Sequence, residues 1–396
     1  MSARRSLGFV VASQFLGSVA DGALVLVAIR LLQDRHAPDW TQPVLRVTFY
    51  TAYVLLAAFA GAVADAWPKQ RVLLATTGMK LCGCGLLLAG LHPLLAYAFI
   101  GVGAVAHAPA RYGILSELLP EQRLVAGNGW LEGATISGSL AGILLGSALL
   151  APWMFPGTGN HGLHAAAVLA VVYLASALAC VPVRAAAAAD AQALRRPREL
   201  LARFLDSIHR LSKDRQAGLC LVATSVFWSA AAVLQFLVLR WSAEVFGLSL
   251  SGGAVLQALF AVALIGGAAA AGRWVTAERA LGLLPAGLAA GAVLLVSPDA
   301  SQPWAATLVL AALGLLSGLM LVPLNALLQL RGSALMHPGQ AIASQHFAEN
   351  VASLVLLAVY GVLTALDASV QTCLFGLGLV VTTAMATLLM VRRADS

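Results

Sequence analysis

Residues 108–136 read APARYGILSELLPEQRLVAGNGWLEGATI, and residues 322–350 read VPLNALLQLRGSALMHPGQAIASQHFAEN. In the first stretch Pro109 is followed two residues on by Arg111, a short link carries Arg123, and the chain turns apolar again at Gly127-Asn128 with Glu132 behind. The second stretch repeats the pattern. Pro323 is followed at the same offset by Asn325, the link carries Arg331, and the apolar run resumes at Gly339-Gln340 with Glu349-Asn350 behind. Polar residues set into apolar runs at corresponding places in the two halves of a chain mark an internal duplication.

Outside these stretches charge nearly vanishes. Of the 396 residues 60% are hydrophobic and 10% are charged, where ordinary soluble domains carry about 25% charge. A bilayer core demands about 20 consecutive, mostly apolar residues per helix, because backbone amides find no water there and must bond one another. Residues 133–151, 163–183, 217–239, 245–272, 280–298, 301–330 and 368–391 hold no Asp, Glu, Lys or Arg. Adding 8–32, 44–64, 72–90, 94–118 and 339–366, and extending the fifth run back to residue 125, gives an all-α membrane protein with twelve transmembrane helices.

The remaining cations alternate with the spans. Arg4, Arg5, Lys69, Arg71, Arg123, Arg273, Arg279, Arg331, Arg392 and Arg393 fall at the termini or in even-numbered gaps, while odd-numbered gaps hold mainly acids or nothing. Lys and Arg in short loops mark the cytoplasmic side, so both termini are expected there. The longest hydrophilic stretch, 184–216, carries Arg195, Arg196, Arg198, Arg203, Arg210, Lys213 and Arg215 and separates an N-terminal half, 1–183, from a C-terminal half, 217–396. The positive-inside bias accounts for most of the net charge of +7, which removes the case for nucleic acid. Two six-helix halves with corresponding polar positions are the parallel repeat of major facilitator transporters, whose substrate site lies between the halves near the bilayer midplane.

Ionisable residues inside spans cost several kcal/mol unless they face a cavity or a partner, so each is a candidate for function. Asp21 and Lys80 lie near mid-membrane with no route to snorkel, and Asp21 needs a proton, a cation or a partner such as Lys80. Arg111, Glu117, Glu132 and Glu349 fall toward the cytoplasmic side, where a gating salt-bridge network and substrate contact are both open readings. For Arg30, Arg46 and Arg240, snorkelling to the interface competes with ligand binding. The loop 61–71, GAVADAWPKQR, joins Gly61, Asp65, Lys69 and Arg71. Gly61 permits close helix approach, and Asp65 can pair with cations and with the positive end of a neighbouring helix, latching one side shut. The equivalent segment of the second half, 272–279, is too degraded to match.

Other chemistry is not expected. Cys82, Cys84, Cys180, Cys220 and Cys373 lie in or at the edge of spans and read as packing residues, so no metal site is expected. His209 and Asp214 have acyltransferase spacing by chance, since the connector is too short for such a domain. No phosphate-binding loop of the Walker type occurs, so ATP is not the direct driver. Catalytic residues and cofactors are expected to be absent. The first apolar run resembles a signal peptide, but Gln14 interrupts it, which favours an uncleaved span.

Several blocks in order, SQFLGSVADGALVLVAIRLL around Asp21, GAVADAWPKQRVL, the two stretches quoted first, and AIASQHFAEN at Glu349, resemble the bacterial lysophospholipid transporter family of the major facilitator superfamily. The resemblance covers essentially the whole chain. It implies a flippase moving lysophosphatidylethanolamine and related lysolipids from the outer to the inner leaflet of the bacterial inner membrane. There a separate cytosolic acyltransferase/acyl-carrier-protein synthetase restores the missing chain. It also implies a monomer working by rocking of its halves. The expected substrate contacts are Asp21, Lys80, Arg111, Glu132, Gln235, Arg240, Asn325 and Glu349, and the expected gating residues are Asp65, Lys69, Arg71 and Glu117. One departure stands out: the family carries Arg where this chain has Gln235, with Arg240 one helical turn on. The same charge pattern also suits a proton-coupled exporter of amphipathic drugs, or a membrane scaffold that recruits the acyltransferase through its basic connector.

Overall fold

The structure, a computed structural model, describes residues 3–38, 41–151, 153–155, 160–183, 186–188, 190–192, 194, 197–248, 250–299 and 302–393. The side chains of Arg4, Arg46 and Arg198, and residues Arg195 and Arg196, lie outside the described residues. Helices follow one another in the order α1 (Ala3–Asp34), α2 (Thr41–Ala66), α3 (Lys69–Leu88), α4 (Pro93–Leu118), α5 (Leu124–Leu149), α6 (His161–Cys180), α7 (Pro197–Lys213), α8 (Arg215–Glu244), α9 (Leu250–Trp274), α10 (Leu284–Val296), α11 (Pro303–Leu335), α12 (Pro338–Ala365) and α13 (Val370–Arg393). Among the described residues ten helical segments are long and apolar enough to cross a membrane. The 26-residue α2 and α5 complete the twelve expected from the charge distribution. Two features differ from the sequence reading. The ninth span opens with a 3₁₀ turn, Ala277–Leu283, before α10. The connector, read only as a hydrophilic stretch, holds a helix, because 17 of its residues form α7.

A single stripe organises α7. Leu200, Phe204, Ser207 and Leu211 are buried at helical spacing, while Leu201 and Leu205 one position on are exposed. Charge at Arg203, Asp206, Arg210 and Lys213 fills the rest of the surface, and this mixture hid the helix inside a hydrophilic stretch.

The duplication read from sequence appears as a shared set of helix pairings. In the first half α1 packs on α4 and α6, α2 on α4, and α3 on α4 and α6. In the second, α8 packs on α11 and α13, α9 on α11, and α10 on α11 and α13, the same pairs seven helices on. Lipid gives no hydrophobic drive for such pairing, so small residues must let backbones approach. A Cβ placed on Gly142 of α5 would lie 2.2 Å from the carbonyl oxygen of Val19 on α1. On Gly318 of α11 it would lie 2.1 Å from that of Leu264 on α9. Pro109 and Pro323 sit inside α4 and α11, and both helices continue through them.

The chain forms two compact units. One comprises Met1–Pro120, Ala134–Ser207 and Met336–His346, the other Glu121–Gly133, Ile208–Leu335 and Phe347–Ser396. The first turns of α5 thus belong to the second unit, and the first turns of α12 belong to the first.

Candidate functional site

In the first unit α1, α3 and α6 bring one polar side chain each to a common point. Lys80 Nζ donates to both carboxylate oxygens of Asp21, at 2.9 and 2.7 Å, and Tyr173 Oη donates to Oδ1 at 2.6 Å. The Lys80 ammonium also stands 5.8 Å from the centre of the Tyr173 ring. Lys80 and Tyr173 are buried, whereas the Asp21 side chain is 43% exposed. The carboxylate is therefore tethered from behind by a cation and a phenol and keeps one open side. Sequence reasoning named Asp21 and Lys80 and missed Tyr173. Its signal was weak: a buried tyrosine needs a partner for its hydroxyl, but the apolar run around residue 173 does not say which.

A second group continues along the same unit. Gln14 Nε2 donates to Ser18 Oγ at 3.0 Å and to Thr135 Oγ1 at 3.1 Å, and Arg111 Nη1 reaches the same Thr135 hydroxyl at 3.3 Å. Arg111 also donates to Tyr112 Oη at 3.1 Å, with its guanidinium 4.6 Å from the Tyr112 ring centre. His107 Nδ1 pairs with Thr76 Oγ1 at 2.9 Å. Half-buried Tyr53 lies in the fields of both Asp21 and Arg111, and His107 in those of Lys80 and Arg111, so the two groups share one polar patch.

Asp65 occupies a different position, at the end of α2. It is fully buried, and its two carboxylate oxygens accept the backbone N–H groups of Gly339 at 2.8 Å and Gln340 at 2.9 Å, the first turn of α12. Free N–H groups at a helix start carry partial positive charge, so a carboxylate is the natural cap. Buried Lys69 donates to Ala64 O at 2.6 Å and to Asp65 Oδ1 at 3.3 Å. Glycines make the approach tight: a Cβ on Gly339 would fall 2.6 Å from Asp65 Oδ1, and one on Gly61 would fall 3.1 Å from Gln340 Cα. The connector folds over this junction. Asp190 N donates to Asp65 O at 2.9 Å, Leu200 of α7 packs on Ala62 and Ala66, and Ser207 Oγ reaches Gln340 Oε1 at 3.3 Å. Arg71 is exposed and outside the cluster, and Glu117 instead accepts the Ala186 N–H at 3.0 Å.

In the second unit Asn128 and Gln329 exchange amide hydrogen bonds at 3.1 and 2.8 Å, a buried pair joining α5 to α11. Asn325, Glu132 and Glu349 are buried. Gln235 O accepts from Gln257 Nε2 at 2.5 Å, so α8 and α9 are bonded at that level. Arg240 Nε donates to Glu244 Oε1 at 2.6 Å within the last turn of α8. The apolar cavity among Phe227, Leu234, Leu313, Met320 and Met385 measures about 40 Å³, against about 300–1,000 Å³ for a ligand pocket. At the other end of α8, Asp214 caps the helix by accepting the Ala217 N–H at 2.9 Å and also accepts from Arg331 Nε at 3.2 Å and from Nη2. The Arg331 hydrogen bond holds the Asp214 carboxyl below its ordinary range.

Comparison with known proteins agrees with this architecture. Residues 10–357 match the model of the Major Facilitator Superfamily. The lysophospholipid transporters LplT of Yersinia pestis and Yersinia pseudotuberculosis are each 37% identical over 368 residues, covering 92% of this chain and 88% of the relative. Among solved structures, the Escherichia coli fucose:proton symporter FucP superposes with a TM-score of 0.76 at 16% identity over the full length of both chains. The human organic anion transporter TETRAN gives 0.76 at 15% identity, covering 98% of this chain and all of the other. These distant structures show the fold alone. The family model and the Yersinia relatives place the sequence itself: the chain belongs to the major facilitator superfamily, in the family of the lysophospholipid transporter LplT.

Proposed function

We propose that this chain is a lysophospholipid transporter that carries lysophosphatidylethanolamine and related lysolipids from the outer to the inner leaflet of the bacterial inner membrane for reacylation. The observation that carries this reading is 37% identity, sustained over 92% of the chain, with transporters named for lysophospholipids. The chemistry of the polar patch suits the cargo. A lysolipid headgroup joins an ammonium to a phosphate, and Asp21 offers an open carboxylate to the first while Lys80 and Arg111 offer cations to the second. Glu132, Asn325, Glu349, Gln235 and Arg240 remain candidate contacts, and Asp65 with Lys69 is the candidate latch, with Arg71 and Glu117 as outlying members. By the positive-inside bias the connector, both termini and the latch face the cytoplasm, where a separate acyltransferase/acyl-carrier-protein synthetase consumes the product. The unit of action is the monomer.

The test is direct. Purified protein in liposomes, with labelled lysophosphatidylethanolamine placed in one leaflet, moves label to the other leaflet only when protein is present. Export of amphipathic cations in the opposite direction, without lysolipid movement, would instead identify a drug exporter.

A further inference from the structure

His107 belongs to the Asp21 patch of the first unit but takes no part in its ion pairing. It stands one turn before Arg111 on α4, and its hydrogen-bond partner Thr76 stands one turn before Lys80 on α3. The half-buried imidazole therefore sits beside both cations, in the fields of Lys80 and Arg111. Its place is set by backbone. A Cβ on Gly103, one turn before His107, would lie 3.1 Å from the Thr76 carbonyl oxygen, so a glycine brings α4 close to α3 at this level.

The hydroxyl of Thr76 has one proton, and it donates to Leu73 O at 3.1 Å. Toward His107 Nδ1, at 2.9 Å, the same oxygen must then accept. Both contacts are hydrogen bonds only when the ring proton of the neutral imidazole sits on Nδ1. That leaves Nε2 as a bare acceptor, and among the described residues it keeps exposed surface and has no partner. A lysolipid offers such an atom three kinds of group. Phosphate oxygens have no proton and repel a lone pair. The ammonium donates, but it would be a third cation beside Lys80 and Arg111, and the open Asp21 carboxylate is its better partner. The hydroxyl left on the glycerol by the missing acyl chain donates, is neutral, and stands two carbons from a phosphate ester oxygen, as the ammonium does on the other side.

We infer that His107 Nε2 accepts a hydrogen bond from the free glycerol hydroxyl, the group that separates a lysolipid from a diacyl phospholipid. The inference rests on the chain carrying lysolipids through the Asp21 patch. Asp21, Lys80 and Arg111 meet headgroup parts that both kinds of lipid possess, whereas His107 meets the part that only the lysolipid has. It is thus a specificity-determining residue. An acylated oxygen at that carbon has no proton to give, so a diacyl lipid turns an acceptor toward Nε2 and leaves both unpaired.

Leaflet exchange in liposomes is measured for labelled lysophosphatidylethanolamine and for its 2-deoxy analogue, in which hydrogen replaces the hydroxyl. The full chain should move the analogue about two- to tenfold more slowly, the range set by one neutral hydrogen bond. In His107→Leu the lysolipid should slow by that factor, and the difference between the two lipids should vanish. His107→Gln, whose amide oxygen also accepts, should restore part of the difference. If His107 serves only to bond Thr76, His107→Leu slows both lipids alike and keeps their ratio, which overturns the inference. Equal rates in the wild type overturn it without any variant, so the test stands even if His107→Leu folds poorly. No exchange of either lipid by the wild type sinks the transporter reading itself, and this inference with it.

Discussion

At the scale of single residues, the arrangement around Asp21 separates charge from shape. Asp21→Asn keeps the volume and the Tyr173 contact but removes the charge that Lys80 holds, so lysolipid transport should fall to near background while the protein remains folded. Leaflet exchange in liposomes measures this, and near-normal exchange would remove Asp21 from the site. Tyr173→Phe deletes one hydrogen bond to a carboxylate that Lys80 still holds. It should slow transport about tenfold or more without abolishing it, within the roughly 10–150-fold that the roughly 1.5–3 kcal/mol of a hydrogen bond to a charged group sets. If Asp21 and Lys80 serve chiefly as each other's partner, the exchanged pair Asp21→Lys/Lys80→Asp regains activity that both single variants lack. Asp214 gives a pH test with a definite sign. Its carboxyl is held below the ordinary value of 3.8, chiefly by Arg331, so the stability it adds is present above that value and is lost as pH falls through the lower folded one. The unfolding temperature of the wild type should therefore drop more steeply below about pH 4 than that of Asp214→Asn, which cannot titrate there.

At the scale of elements, the start of α12 is fixed by one carboxylate. Asp65→Ala strands two backbone N–H groups and the buried Lys69 ammonium, and losing one member of a buried charged pair costs about 3–5 kcal/mol. Thermal unfolding should show that loss, with less in Asp65→Ala/Lys69→Met than in Asp65→Ala alone. Gly142→Val should prevent folding through collision with α1, whereas Gly85→Ala, which meets nothing within 4 Å, should be silent. The elements were largely legible in the sequence, for a physical reason. A bilayer forces each span into a continuous apolar run, and the cations between runs gave the expected count. The chain 184–216 escaped because α7 buries only one stripe and so lacks an apolar run. Within the candidate site, Asp21 and Lys80 stood out because lipid makes them expensive, and Asp65 stood out through the loop pattern around it. Tyr173, Thr135 and Gln329 are tolerated in a span at little cost, so their sequence carries no comparable signal.

At the scale of the whole molecule, α12 begins in one unit and ends in the other, so whatever holds its first turn bears on both. If Asp65 is a latch on one conformation, Asp65→Ala shifts the balance between states by the energy of that contact, and couplings of about 1–3 kcal/mol correspond to roughly 5–150-fold. A cysteine introduced as Asn325→Cys, buried in the second unit, should then be alkylated faster in membranes by a factor in that range. Unchanged labelling with lost transport would mean that Asp65 acts on the substrate path and not on the balance of states.

The same carboxylate also sets an order of assembly. Its helix-end partners lie 274 residues downstream, and at about 5–20 residues per second the ribosome takes roughly 15–55 s to cover that distance. Through that interval the first unit is in the membrane without its final piece. Lys69, four residues away, is the one partner that exists from the outset. It is the counter-charge within reach of Asp65 until the eleventh span arrives. Lys69→Met should therefore depress the yield of correctly assembled protein in growing cells more than it depresses the stability of whatever protein is recovered.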